Sequence, residues 1–248
     1  NCSSVKVSDI IQLNSNAWVF NSLNTTDEVI DNIRIISARP NGDGITLQSC
    51  NNITVQNCFV RSWDDSMVVK NYAGDTNNIT FKDSQIWTDL AQSMEIGYET
   101  NKGKKENAVI SKITFENITV LNNFHKPVIS IHNADDATIS DITYKNITVE
   151  NLQSGSGDGD KMPYLIDLWV TLSPGWSKTL YRGQIRNVTI DGVNVLGGRD
   201  LNSRIQGYDE AHTIEGVTIR NLQMFGNKLT SLDKFEIDPV STKGITIE

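Results

Sequence analysis

Short alternating stretches recur along the chain. SSVKVSD, DNIRIIS, NNITVQN, NNITFKD, SKITFEN, SDITYKN, RNVTIDG, EGVTIRN and TKGITIE each set a turn residue before apolar positions that flank a Thr, Lys or Arg. The central residues are Lys6, Arg34, Thr54, Thr80, Thr114, Thr143, Thr189, Thr218 and Thr246, spaced 20 to 46 residues apart. Alternation with period two marks a strand with one buried face. A constant strand at variable spacing means a constant core and variable loops. No long stretch keeps helical period, which excludes an ordinary α/β sheet with crossover helices. The pattern predicts an all-β solenoid, a parallel β-helix in which each turn adds strands to parallel stacks.

A second strand runs in phase with the first: DGITLQ, DSMVVK, QSMEIG, VISIHN, YLIDLW, SRIQGY and DKFEID. Its inward pairs are Ile45/Leu47, Met67/Val69, Met94/Ile96, Ile129/Ile131 and Ile166/Leu168. The residues between them, Thr46, Val68, Glu95, Ser130, Asp167, Gln206 and Glu236, point the other way. That outward column is polar and mostly acidic, and is expected to form the continuous surface on which a solenoid binds an extended ligand. The long loops at 99–110, 151–163 and 170–183 would shape its walls, with Lys102, Lys104 and Lys105 on a solvated rim. Both ends fall inside the repeat and no polar cap is visible, so residues 1–248 are expected to form one β-helix domain of a longer protein, lacking one or both caps. The alternative is a subunit whose association with another chain covers its ends.

Composition narrows the partners. The 248-residue chain carries a formal net charge of −8 and a pI of about 4.9, against the basic stripe that nucleic-acid binding requires. No apolar run approaches the ~20 residues of a membrane helix. The chain opens on Asn1 rather than Met, so its first residues say nothing of its compartment. The three cysteines, Cys2, Cys50 and Cys58, are too few and wrongly spaced for a disulfide scaffold or zinc ribbon. A Cys50–Cys58 bridge and two buried thiols both fit. Asn1, Asn24, Asn52, Asn78, Asn117, Asn146 and Asn187 begin N-x-S/T triplets, mostly as part of the repeat, and are expected to serve its turns rather than carry glycans.

The stretch RSWDDSMVVK sets Asp64 and Asp65 directly before a strand. When the second strands are aligned by inward residues, Asp43 of NGDGITL falls in the column of Asp65. Rungs stack about 4.8 Å apart, so three carboxylates should converge. Clustered carboxylates repel, and one retains its proton at neutral pH. A protonated acid beside ionised ones is what acid and base hydrolysis of a glycosidic bond requires. A solvated acidic turn, or a divalent-cation site with Glu95 as a further ligand, also fits the spacing. The pair Asp135/Asp136 falls instead in the phase of Asn51/Asn52, which predicts a plain turn. Asp209, Glu210 and His212 are close in sequence without a helix to align them, which predicts a surface loop rather than a metal set.

These motifs resemble glycoside hydrolase family 28, the polygalacturonase family, and its clan of right-handed parallel β-helix hydrolases. The family pattern is N-T-D, then after about twenty residues G-D-D, then G-H-G and R-I-K. NGDG with Asp43 and WDDS with Asp64 and Asp65 correspond to the first two, and NSNAWVF resembles the segment upstream. The resemblance implies that Asp64 is a general acid, that Asp43 and Asp65 activate water, and that the anomeric carbon inverts. It implies no metal or other cofactor, a carbohydrate substrate, and a secreted or periplasmic location. Two positions depart from the pattern. Gln92 stands where the family has His, and Ser130 and His132 stand where it has the Arg and Lys that clamp a sugar carboxylate. With Glu95 and Asp167 beside them, the expected substrate is a neutral or modified sugar rather than plain galacturonate, with Lys70 and Lys126 as partial compensation. Trp169, in the parity of Asp167, either stacks on a sugar or packs beneath its loop; His125 either edges the site or serves a turn. A β-helix polysaccharide lyase ranks below a hydrolase for want of a placed Arg. A non-catalytic glycan-binding β-helix would explain the lost His, Arg and Lys but not three retained Asp residues.

Overall fold

The computed structural model describes residues 1–101 and 108–248. Lys102, Lys104 and Lys105, expected on a rim, lie outside the described residues. Among the described residues every regular element is a strand. One sheet stacks Cys2–Ser8, Thr25–Asp31, Asn51–Gln56, Thr76–Thr88, Val109–Asn123, Thr138–Val149, Gln184–Val195, Ile214–Arg220 and Thr242–Ile247 in chain order. The other stacks Phe20–Leu23, Ile45–Gln48, Met67–Asn71, Met94–Thr100, Ile129–Asn133, Tyr164–Val170, Asn202–Gln206 and Phe235–Ile237. Neighbours along both stacks pair in parallel, each strand with the ones a turn before and after it. This is the coil the repeat predicts.

The turn residues bend the long strands. Asn78 and Asp83, Lys112 and Asn117, Asp141 and Asn146, and Asn187 and Gly192 take positive φ five residues apart in successive rungs. Asn tolerates this left-handed backbone because its short side chain bonds locally. Here those side chains form ladders: Asn117 Nδ2 donates to Asp83 at 2.9 Å, and Asn146 Nδ2 to Asn117 at 3.2 Å. Asn78 donates to Asn52 at 2.9 Å, and Asn187 to Asp141 at 3.1 Å. Asn52, whose amide nitrogen donates to Asp27, joins Asn78, Asn117, Asn146 and Asn187 as N-x-S/T asparagines that sit in turns with their amide nitrogens already donating.

The inward pairs line up rung on rung, Ile45, Met67, Met94, Ile129 and Ile166 in one row and Leu47, Val69, Ile96, Ile131 and Leu168 in the next, all fully buried. Across the core Phe81, Phe115 and Tyr144 stack with ring centroids 4.8 and 5.0 Å apart and planes within 3°. Cys50 and Cys58 are buried free thiols, and burial pushes both pKa values up.

The outward column differs from expectation in two ways. Asp167 pairs with Arg204 rather than Gln206, which lies opposite Trp169, so a cation of the same parity sits in the row. Nor is the row a free surface. Thr46, Val68, Glu95, Ser130 and Asp167 are all 0% exposed. Alternation tells which side chains leave the core, but loop packing decides whether they meet water. Residues 171–182 fold back over this face. Buried Asp135 accepts the backbone N–H groups of Lys178 and Thr179, at 3.0 and 2.8 Å, and Arg182 donates to the carbonyls of Ala134 and Thr171. The Asp135/Asp136 turn is thus the anchor of a covering loop. Asp209 and His212 form a surface turn closed by a 2.7 Å contact.

Candidate active site

A pocket of about 530 Å³ opens where the Ile45–Gln48, Met67–Asn71 and Met94–Thr100 strands begin, within the range of small-ligand sites. Asp43, Asp64 and Asp65 all line it, as do Gln92 and Lys70. Strand phase is the cause. Gly44 N–H donates to the Asp65 carbonyl at 2.7 Å, so the two residues enter adjacent rungs side by side. Gly44 has no room for a side chain, since a Cβ would lie 2.4 Å from the Ser66 carbonyl oxygen. Ser62 Oγ donates to the Asp64 carbonyl at 2.7 Å and fixes the turn that carries the pair.

The three carboxyl groups have different surroundings. Asp65 is 8% exposed, and its Oδ1 accepts the Gln92 backbone N–H at 3.0 Å. Burial, followed by the charges of Asp64, Asp43 and Glu95, pushes its pKa well up. Asp43 is raised to about 7, by burial first and by Asp64 and Glu99 in opposition to Lys70. Asp64, the least buried of the three, is raised by burial despite a hydrogen bond from the Asp65 N–H. Their protons belong to the set rather than to any one member. The cation among them is Lys70, with Nζ 3.0 Å from Glu99, 3.5 Å from Asp43 and 4.2 Å from the centre of the Trp18 ring. Burial opposes its charge, yet Glu99, Asp43 and Asp65 hold its pKa above the usual value. Among the described residues no group of three His, Cys, Asp or Glu side chains is arranged to hold a metal ion.

The remaining sequence candidates divide. Gln92 lies in the pocket wall. Glu95, Ser130, His132 and Asp167, expected at the surface, lie behind that wall in a closed ion chain. Ser130 Oγ donates to Glu95 Oε2. His132 Nδ1 sits 3.0 Å from both Glu95 oxygens, and Nε2 sits 3.2 Å from Asp167 Oδ2. Arg204 then grips Asp167 through two nitrogens at 2.8 Å each. Burial would lower the His132 pKa, but Glu95 and Asp167 raise it to about 9, so the ring is an imidazolium at neutral pH. Although burial alone would raise Asp167, His132 and Arg204 hold it below the usual value.

Trp169 is half-buried and lines a second cavity together with Tyr98, Trp176 and Arg204. The Arg204 guanidinium lies 4.0 Å over its ring, and His132 meets it edge-on at 6.3 Å. His125 is 2% exposed and directs Nε2 to the Asp160 carbonyl at 3.0 Å and Nδ1 to the Ser156 carbonyl, pinning the loop that brings Asp160 to the pocket rim. Lys126 reaches the same Asp160 carboxylate at 3.2 Å.

The aromatic groups that do line the pocket are Trp18, Tyr98 and Trp176. Tyr98 stacks on His132 at 4.4 Å and on Trp176 at 6.1 Å. Trp176, 47% exposed, went unrecognised because it lies in an irregular loop with no strand phase to place it. Arg204 carried a usable signal, since it has the parity of Gln206 two residues earlier in the same strand.

The model of the glycosyl hydrolases family 28 matches residues 1–156. A probable polygalacturonase of Vitis vinifera is 32% identical over 68 residues, which are 27% of this chain and 14% of that protein. Among solved structures, a hyperthermoactive exopolygalacturonase from Thermotoga maritima aligns over 98% of this chain and 53% of its own, with TM-score 0.65 and 17% identity. A family 28 exopolygalacturonase of Yersinia enterocolitica aligns over 97% and 46%, with TM-score 0.55 and 14% identity. The chain spans about half the length of these two solved relatives. Their shared fold with it is the right-handed parallel β-helix.

Proposed function

The chain belongs to the glycosyl hydrolases family 28, and on that premise we propose that it hydrolyses a glycosidic bond with inversion, on a neutral or modified sugar rather than plain galacturonate. The observation that carries the proposal is the convergence of Asp43, Asp64 and Asp65 on one pocket, with burial holding protons on the set. In this mechanism Asp64, the most accessible of the three, gives its proton to the leaving glycosidic oxygen as the C–O bond breaks. Asp43 and Asp65 orient a water and accept its proton as it attacks the opposite face of the anomeric carbon. The product is the inverted hemiacetal, and one proton has passed from Asp64 to the leaving group while another has entered the Asp43/Asp65 pair. Asp43, near 7, is suited to accept a proton at neutral pH.

The electrostatics support the substrate class. The described lining holds Asp43, Asp64, Asp65, Glu99 and Asp160 against Lys70 and Lys126, and both lysines are already paired with acids. A uronate carboxylate entering here would meet an acidic surplus. Arg204, the cation that sequence phase missed, is committed to Asp167. The competing substrate is polygalacturonate, favoured by the names of the similar proteins and by Lys126 at the rim. A secreted or periplasmic site of action fits a polymer-degrading hydrolase.

A panel of polygalacturonate and neutral α-linked galactans and glucans, assayed for new reducing ends, separates these outcomes. Release from a neutral glycan supports the proposal. Faster release from polygalacturonate keeps the hydrolase and sinks the substrate argument. Binding to a glycan without cleavage would make the chain a glycan-binding β-helix instead.

A further inference from the structure

Beside the trio pocket lies a second cavity of about 340 Å³. Tyr98, Asp160 and Trp176 line both, so the two cavities meet at those side chains. The second lies further along the coil. Trp169 stands on the Tyr164–Val170 strand, three rungs beyond the Met67–Asn71 strand that follows Asp65. At ~4.8 Å per rung the separation is about 14 Å, more than one sugar ring spans. Trp169, Trp176 and Tyr164 give this cavity rings, and Arg204 and Lys161 give it donors. Leu172 and Trp176 in its wall are 44% and 47% exposed, apolar surface that the core does not use. Such surface gains free energy when a ligand covers it.

Resting on the trio as the place of cleavage, we propose that the second cavity is a binding subsite for a further sugar unit of the same glycan, with Trp176 and Trp169 as its stacking surfaces. A pyranose has an apolar C–H face and a polar rim of hydroxyls, so it needs flat rings beside a few placed polar groups. The rings are held in position. Trp176 N–H donates to the Ser173 carbonyl at 3.0 Å, and Ser177 Oγ donates to the Ala134 carbonyl at 2.5 Å, which fixes the loop where the cavities meet. The donor is held as well. Arg204 Nε and Nη2 bind Asp167 at 2.8 Å each, and the Trp169 and Tyr164 rings flank the guanidinium at 4.0 and 4.9 Å. Its Nη1 has no acceptor among the described residues, which leaves a fixed donor for a hydroxyl. The described lining holds one carboxylate, Asp160, against Arg204 and Lys161, so the acidic surplus of the trio pocket does not extend here. A glycan that reaches from the trio across Trp176 to Trp169 would bind through several units at once.

The tryptophans report occupancy of each cavity without turnover. Trp18 lines only the trio pocket, Trp169 only the second cavity and Trp176 both, while Trp87, bonded to Asp89, lines neither. The Asp64→Asn chain, labelled with nitrogen-15 at the indole nitrogens, is titrated by NMR with α-linked galactose oligomers and, in parallel, with oligogalacturonates. In the series that binds, tetramers should move Trp18, Trp176 and Trp169 with one shared midpoint and leave Trp87 in place. Trp169 unmoved by every oligomer of both series, or moved with a midpoint of its own, would overturn the inference. Trp169→Leu should weaken tetramer binding about tenfold and leave dimer binding unchanged. No loss, or an equal loss at both lengths, would contradict the subsite. Should that variant not fold, the indole signals of the unsubstituted ring still decide. A chain in which oligomers move Trp169 but wild type cleaves nothing would refute the proposed hydrolysis and leave the subsite standing. Cleavage with Trp169 unmoved would do the reverse.

Discussion

Asp43 shows how a single side chain ties the site to stability. Its pKa is about 7 in the folded chain against 3.8 unfolded. Between those values the folded state binds more protons than the unfolded state, so this residue's contribution to stability falls as pH rises from about 4 to 7. Asp43→Asn should therefore raise the melting temperature at pH 8 by a few degrees and leave it little changed at pH 4. Equal shifts at both pH values would contradict the burial of this carboxyl group. Asp64→Asn should lower kcat by about 10²–10⁴-fold with the melting temperature maintained, as checked by steady-state kinetics beside calorimetry. The positions of Asp43 and Asp65 were legible in the sequence, because strand phase and a rung repeat fix which residues sit side by side. The fate of Glu95, His132 and Asp167 was not. Alternation put them on the outer face, but there they pair with one another and are met by Tyr98, stacked on His132, and by Arg204, bound to Asp167, so that face is an interior.

At the scale of the strand, the repeat was legible nearly throughout, since each rung needs the same inward pair and the same turn. What NNIT and ENIT stretches did not disclose is the regular pair of left-handed residues five apart that bends each long strand. Asn117 occupies such a position with φ of 55°, gives one ladder hydrogen bond and accepts another. Asn117→Ala should cost about 1–2 kcal/mol, from left-handed strain and lost hydrogen bonds. Asn117→Gly should cost less, because glycine takes this conformation freely. Urea unfolding would check the order of the two; both variants lose the same ladder bonds, so a larger loss for glycine would contradict the argument from left-handed strain. In the core, Phe115→Ala removes the middle ring of the Phe81–Phe115–Tyr144 stack and should cost about 3–5 kcal/mol.

Across the whole molecule, stacked parallel rungs supply a rigid frame and the loops between them supply the pocket. The frame carries the carboxylates on adjacent rungs, and the loops bring Asp160 and Trp176 to them. That division explains why the fold and the trio could be read from a repeat, while the walls, the covering loop and Arg204's partner could not. In the proposed mechanism the trio breaks a glycosidic bond with Asp64 as the acid and a single water as the nucleophile. Its most direct test is anomer-resolved proton NMR of the first products formed from the best substrate of the panel, with Asp64→Asn run in parallel. The inverted anomer should form first in wild type, and the variant should produce almost none. Retention of the anomeric configuration, or an undiminished rate in Asp64→Asn, would contradict it.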